Sequence, residues 1–289
     1  MASTMALTQP SRDRFQRLQR TLIVAAACIC TVAHATPEED RTQLVQLYQS
    51  KFPGIPLDAY VDGAMVFSPD AKAQFERIME FPPFQPDVDA GRQLWERQFS
   101  NGKTFADCFP NGGHNVAGNY PQFDVARDTL VTFEMAINQC RRDNGEAPWK
   151  IGDKATMGVL TAYARTLSDG MRVHIRVDSP RALGRYEAGK KLYFSRMGQL
   201  NFACASCHLE NAGKILRTEI LSPTVGQATH WPAFRGGDNL TTLQARYKRC
   251  MEQVRAEPFT LGSDEFNNLE YFHSYLSNGL PLRSAVYRK

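Results

Sequence analysis

The sequence predicts a mostly α protein made of two related halves, and three observations carry that expectation. Segments of the chain repeat at offsets of 98 to 110 residues. Apolar positions recur at helical spacing, while strand-like alternation is scarce and Gly/Pro-rich loops such as "CFPNGGHNVAGNYPQFD" separate the periodic stretches. Both closing segments of the repeat stop on glycine, which ends helices readily by adopting the left-handed conformation.

Residues 1–35 stand apart from the fold. Arg12, Arg14, Arg17 and Arg20 precede "TLIVAAACICTVA", an apolar run of 13 residues, and "AHA" at 33–35 supplies small residues for cleavage. That is the pattern of a secretory signal peptide, because such a run is too short to span a bilayer. Removing it takes away four arginines and Asp13, a net of +3, so the charge falls from +4 to +1. So balanced a chain gives no reason to expect a nucleic-acid partner. No other stretch is apolar enough for a membrane span. The protein is expected in the periplasm, with five cysteines left: Cys108, Cys140, Cys204, Cys207 and Cys250.

Each half reads as an opening helix, a cysteine region, a cysteine-bearing helix and a closing helix. "DAGRQLWERQF" (89–99) resembles "EAGKKLYFSRM" (187–197) at an offset of 98, and "LTAYARTLSDG" (160–170) resembles "LEYFHSYLSNG" (269–279) at 109. At 110, Cys140 falls on Cys250 and Ala136 on Arg246. "VDSPRALG" (177–184) is the expected linker, with Pro180 discouraging a continuous helix. The expected division is 36–178 and 179–289.

Cys204-Ala-Ser-Cys207-His208 is the strongest chemical signal. Two thiols three apart can form thioethers with haem vinyl groups, and the adjacent histidine then ligates the iron. A zinc site would want a second clustered ligand pair, and a thioredoxin-type motif an α/β pattern; neither is present. The second axial ligand lies between Cys250 and Met251. Met251 would make an ordinary electron carrier, since His/Met ligation raises the reduction potential. Arg246 and Cys250, four apart on "LTTLQARYKRCMEQV", share one helix face, and Met251 lies about 100° round. The residues favour Cys250 and leave Met251 open.

"CASCH", "HWPAFRGG" (230–237) and "RYKRC" (246–250) together resemble the SoxA family, haem c subunits of the SoxAX L-cysteine S-thiosulfotransferase of thiosulfate oxidation. The resemblance covers nearly the whole mature chain. It implies two tandem cytochrome c-like domains, the first without haem, and one covalently bound haem c attached through Cys204 and Cys207. It makes His208 and Cys250 the axial ligands, Cys250 the reactive sulfur and Arg246 the anion-positioning residue, with Met251 as packing. The implied partners are SoxX, the carrier SoxYZ and thiosulfate.

The first half departs from the two-haem form of the family, because "FPNGGH" follows Cys108 with neither a second cysteine nor an adjacent histidine. His114 is expected in a loop. A Cys108–Cys140 disulfide is expected where that haem was lost, stapling 33 residues and contributing about 2–4 kcal/mol. His230 and Trp231 are weaker pocket candidates, His174 and His273 ordinary histidines, and Lys248 and Arg249 a solvated face. A plain His208/Met251 carrier and a thiosulfate dehydrogenase making tetrathionate are the rival functions.

Overall fold

The structure, a computed structural model, describes Met1 and residues 35–288. The expected signal segment lies almost wholly outside the described residues. Among those described, no helix is long and apolar enough to cross a membrane. The chain begins with α1 (Pro37–Lys51), where Thr36 and Glu39 form a reciprocal capping box and Pro37 occupies the first turn. A 3₁₀ stretch (Leu57–Phe67) follows, then α2 (Pro69–Glu80), capped by Ser68.

The first repeat comprises α3 (Gln85–Glu96), the hairpin β1 (Gln122–Asp124) and β2 (Thr129–Val131), α4 (Phe133–Asp143) and α5 (Val159–Thr166). The second runs through α6 (Pro180–Phe194), the short pair β3 (Ile215–Leu216) and β4 (Glu219–Ile220), and the hairpin β5 (Ala233–Arg235) and β6 (Asn239–Thr241). It continues with α7 (Leu243–Gln253) and α8 (Asp264–Tyr275), and β7 (Val286–Arg288) closes the chain, parallel to β5. The expected linker is shorter than the sequence suggests. Pro180 opens α6 instead of interrupting it, because Ser179 Oγ accepts the Ala182 N–H at 3.1 Å and the first turn needs no N–H from proline.

The repeat is physical as well as textual. Thr132 and Thr242 cap α4 and α7 identically, each hydroxyl accepting the N–H three residues on at 3.3 Å. In the hairpins Phe123 pairs with Leu130 and Phe234 with Leu240. Opening and closing helices cross at a glycine in both halves. A Cβ on Gly91 would lie 2.0 Å from the Val159 carbonyl oxygen, and one on Gly189 would lie 2.0 Å from that of Asn268. The shared "AG" of the opening helices is therefore a contact requirement: the two backbones touch where any side chain would wedge them apart.

Two apolar clusters hold the molecule. The larger joins Trp95, Phe133 and Leu160 of the first half to Tyr193, Tyr247 and Phe272 of the second. The smaller is built around Phe84 and Phe234, stacked at 4.1 Å. Although α1 precedes the first repeat, its polar side chains reach the second: Asp40 pairs with Lys190 at 2.7 Å, and Lys51 donates to the Glu210 carbonyl at 3.1 Å. The expected Cys108–Cys140 disulfide is present, with Cα atoms 5.7 Å apart. Asn144 Nδ2 donates to the Cys140 carbonyl at 2.8 Å and reaches Cys108 Sγ at 3.4 Å.

Candidate functional site

The CASCH segment is fixed mainly through its backbone. Ser206 Oγ accepts the Ala203 N–H at 3.2 Å, and Asn211 Nδ2 donates to the Ser206 carbonyl at 2.7 Å. The His208 carbonyl receives the Tyr48 hydroxyl from α1 together with the Thr224 hydroxyl and N–H, the last two at 3.1 Å. Tyr193 of α6 meets the same Thr224 hydroxyl at 2.5 Å. Two separate parts of the chain thus clamp one peptide group, and a third braces one of them.

The imidazole of His208 is oriented by Nδ1, which lies 2.9 Å from the Ser222 carbonyl. A carbonyl can only accept, so Nδ1 carries the hydrogen and Nε2 keeps its lone pair, with the Gln227 amide nitrogen 3.5 Å away. Burial pushes this histidine down to about 4, against the pull of the Ser222 carbonyl, and the Arg246 charge pushes the same way. A neutral ring with its far nitrogen free is the form an iron ligand needs.

Helix α7 supplies the opposite wall. Arg246 and Cys250 stand one turn apart, both half-buried. The structure brings Cys250 towards the motif: its charge is the first neighbour felt by Cys204, whose thiol burial raises to about 12, and by Cys207, raised for the same reasons. Met251 is turned into the main apolar cluster and is 8% exposed. Lys248 and Arg249 are exposed, and Arg249 pairs with Glu252 at 3.4 Å.

Arg235 of β5 belongs to this neighbourhood; it lies within "HWPAFRGG" (230–237), a stretch that marked the resemblance without giving this arginine a role. Burial lowers its guanidinium, with the Arg246 charge next, while Glu219 and Cys250 act in the opposite direction. Tyr48, Tyr193 and Thr224 were likewise unforeseen, because their partners lie far away in sequence. Trp231 is buried and donates Nε1–H to the Gln227 carbonyl at 2.7 Å, and neighbouring His230 is buried with Nδ1 unpartnered among the described residues. His273 is a core residue whose Nδ1 meets the Tyr247 hydroxyl at 2.8 Å, and burial holds it down to about 3. His114 and His174 are exposed.

This donor set fits a haem c: two thiols on one turn, an adjacent imidazole whose Nε2 keeps its lone pair, and a third sulfur near them. The sequence signature of the SoxA/TsdA cytochrome c domain matches residues 90–173 and 188–282, one stretch on each helical repeat. The L-cysteine S-thiosulfotransferase subunit SoxA of Allochromatium vinosum is 42% identical over 277 residues, covering 94% of this chain and 98% of that one. The chain belongs to the SoxA family. The SoxA of Chlorobaculum tepidum is 39% identical over 94% of this chain and 99% of its own. The crystal structure of SoxXA from P. pantotrophus superposes with a TM-score of 0.65 at 31% identity, covering 72% of this chain and 79% of that one. Membership confirms the mostly α fold of two cytochrome c-type halves and the thiosulfotransferase class of enzyme.

Proposed function

We propose that this SoxA-family protein is an exported periplasmic subunit that couples thiosulfate oxidatively to a cysteine of the carrier SoxYZ. One haem c is held, in the second half, through thioethers at Cys204 and Cys207. His208 and Cys250 would hold its iron. The observation that carries this reading is the convergence of Cys250 and Arg246 on the CASCH turn while Met251 packs into the core. The family likeness to SoxXA supports SoxX as the cytochrome partner.

In this reading Arg246 presents a planar fork of donors to the sulfonate end of thiosulfate and holds the terminal sulfur over Cys250. The overall step joins a carrier thiolate, RS⁻, to S₂O₃²⁻ as RS–S–SO₃⁻ and releases two electrons. A bound haem would keep Cys250 deprotonated and take those electrons one at a time on their way to SoxX. Ser222 keeps the His208 ring in register, and the Tyr48–Thr224–Tyr193 cluster prevents its peptide from shifting. The Cys108–Cys140 bridge leaves the first half without thiols for a second haem.

Intact mass of the exported protein, with and without reductant, tests the reading. One haem, one disulfide and cleavage near residue 35 are expected. A near-infrared band of methionine-ligated ferric haem would overturn the assignment of Cys250 and leave an ordinary carrier. Tetrathionate made without SoxYZ would replace the coupling reaction by thiosulfate dehydrogenation.

A further inference from the structure

We infer that Arg235 completes a two-guanidinium seat beside Cys250, which selects doubly charged thiosulfate over singly charged thiosulfonates. The inference rests on the role proposed for Cys250 and Arg246 and adds a residue and a charge rule to it.

The direction of the side chain follows from the strand. Successive residues of a strand point to opposite faces. Phe234 enters the smaller cluster and stacks on Phe84 at 4.1 Å. Ala233 enters the main cluster with Trp231, Tyr247 and Met251. Arg235, two residues from Ala233 and half-buried, falls on that same face, where the charges of Arg246 and Cys250 on α7 reach it. In the sheet its neighbours are Asn239, whose side-chain oxygen is taken by Lys154 at 2.6 Å, and Arg288. Among the described residues neither Arg235 nor Arg246 has a carboxylate within ion-pair distance, and the Glu219 charge reaches Arg235 without closing on it. Two half-buried cations left without counter-ions beside a reactive sulfur form a place for an anion.

The first half supports this placement independently. There, Asp124, Ala136 and Cys140 line one cleft of about 310 Å³. The matching elements β5 and α7 put Arg235, Arg246 and Cys250 at those same three places. Where the first half has a carboxylate and a methyl group, the second has two guanidiniums. The exchange changes local charge without disturbing hairpin or helix, as expected of a specificity feature. Thiosulfate brings two negative charges, and one arginine leaves one of them uncompensated as water is displaced.

Equilibrium binding to the oxidised haem-loaded protein with its cytochrome partner, measured by calorimetry, provides the test. The two probes are thiosulfate and methanethiosulfonate, which keeps the terminal sulfur but carries one charge. Arg235→Gln is expected to weaken thiosulfate about tenfold or more, the loss expected for a charge-assisted contact, and methanethiosulfonate less than about threefold. Arg235→Lys should retain most of the preference, and an unchanged haem absorption spectrum shows that each variant is folded and loaded. Equal weakening of both anions, or of neither, overturns the inference. If Arg246→Gln weakens thiosulfate and Arg235→Gln does not, Arg235 alone loses its role. If neither variant changes thiosulfate binding, the functional reading falls with it.

Discussion

In the first half α4 presents Cys140 to Cys108, and in the second the matching helix α7 presents Cys250 to Cys204 and Cys207. Three features that set the position of those helices are shared: the threonine cap, the short hairpin before it, and the glycine crossing between opening and closing helices. The contents of the cleft are not shared. One half closes its cysteines into a bridge and lines the space with Asp124 and Ala136. The other forms no bridge among Cys204, Cys207 and Cys250 and puts arginines at the equivalent positions. A scaffold held by caps and backbone contacts can therefore lose its site while keeping its shape.

The strongest test of this separation is Cys250→Ala. It should reduce thiosulfate coupling to background and change the low-spin EPR of the haem, while far-UV circular dichroism stays as in the parent. Retained turnover would break the contrast between the halves. Next is Cys108→Ser with Cys140→Ser, which should cost about 2–4 kcal/mol in denaturant unfolding yet leave turnover within about twofold. A large loss of activity would show that the first half takes part in the chemistry.

Smaller in effect, Gly91→Ala and Gly189→Ala should each cost about 1–3 kcal/mol, read as a lower thermal midpoint. Only the second should also disturb the haem spectrum, since α6 is tied to the CASCH turn through Tyr193 and Thr224. The smallest effect concerns pH and the core where the halves meet. Glu270 of α8 is buried, accepts a hydrogen bond from Gln244 at 2.8 Å, and is pushed up to about 8 by burial, with Glu134 of α4 next. The folded state keeps a proton that the unfolded chain releases near pH 4.5, so this contribution is full at low pH and lost as pH rises through 8. Between about pH 6.5 and 8 the Glu270 contribution should fall by up to about 1.4 kcal/mol per pH unit, against an opposite slope near pH 6.5 from the buried histidines. Glu270→Gln should flatten that slope.

Legibility in the sequence follows the range of the interactions. The closing helices, the CASCH turn and the shared face of Arg246 and Cys250 all depend on residues a few positions apart, and all were readable. Pro180 was ambiguous, because proline at a first helical turn and proline in a linker look alike until the cap at Ser179 is seen. Strands of two or three residues are too short to show a period, so "HWPAFRGG" marked the stretch around Arg235 without showing which way its side chain points. The attachment of α1 to the second half was invisible, because Tyr48 and His208 are separated by 160 residues.

By itself the sequence determined the duplicated helical plan, the pairing of Cys108 with Cys140 and the chemistry available at Cys204, Cys207, His208 and Cys250. Those features follow from local spacing and from the period of the repeat. Only the tertiary structure decided which walls close around that chemistry: the Ser222 carbonyl that orients His208, the tyrosines that hold its peptide, and the placement of Arg235 where the Arg246 and Cys250 charges reach it. These contacts join segments whose separation carries no periodic trace, and they exist only once the backbone has folded and excluded water from between them.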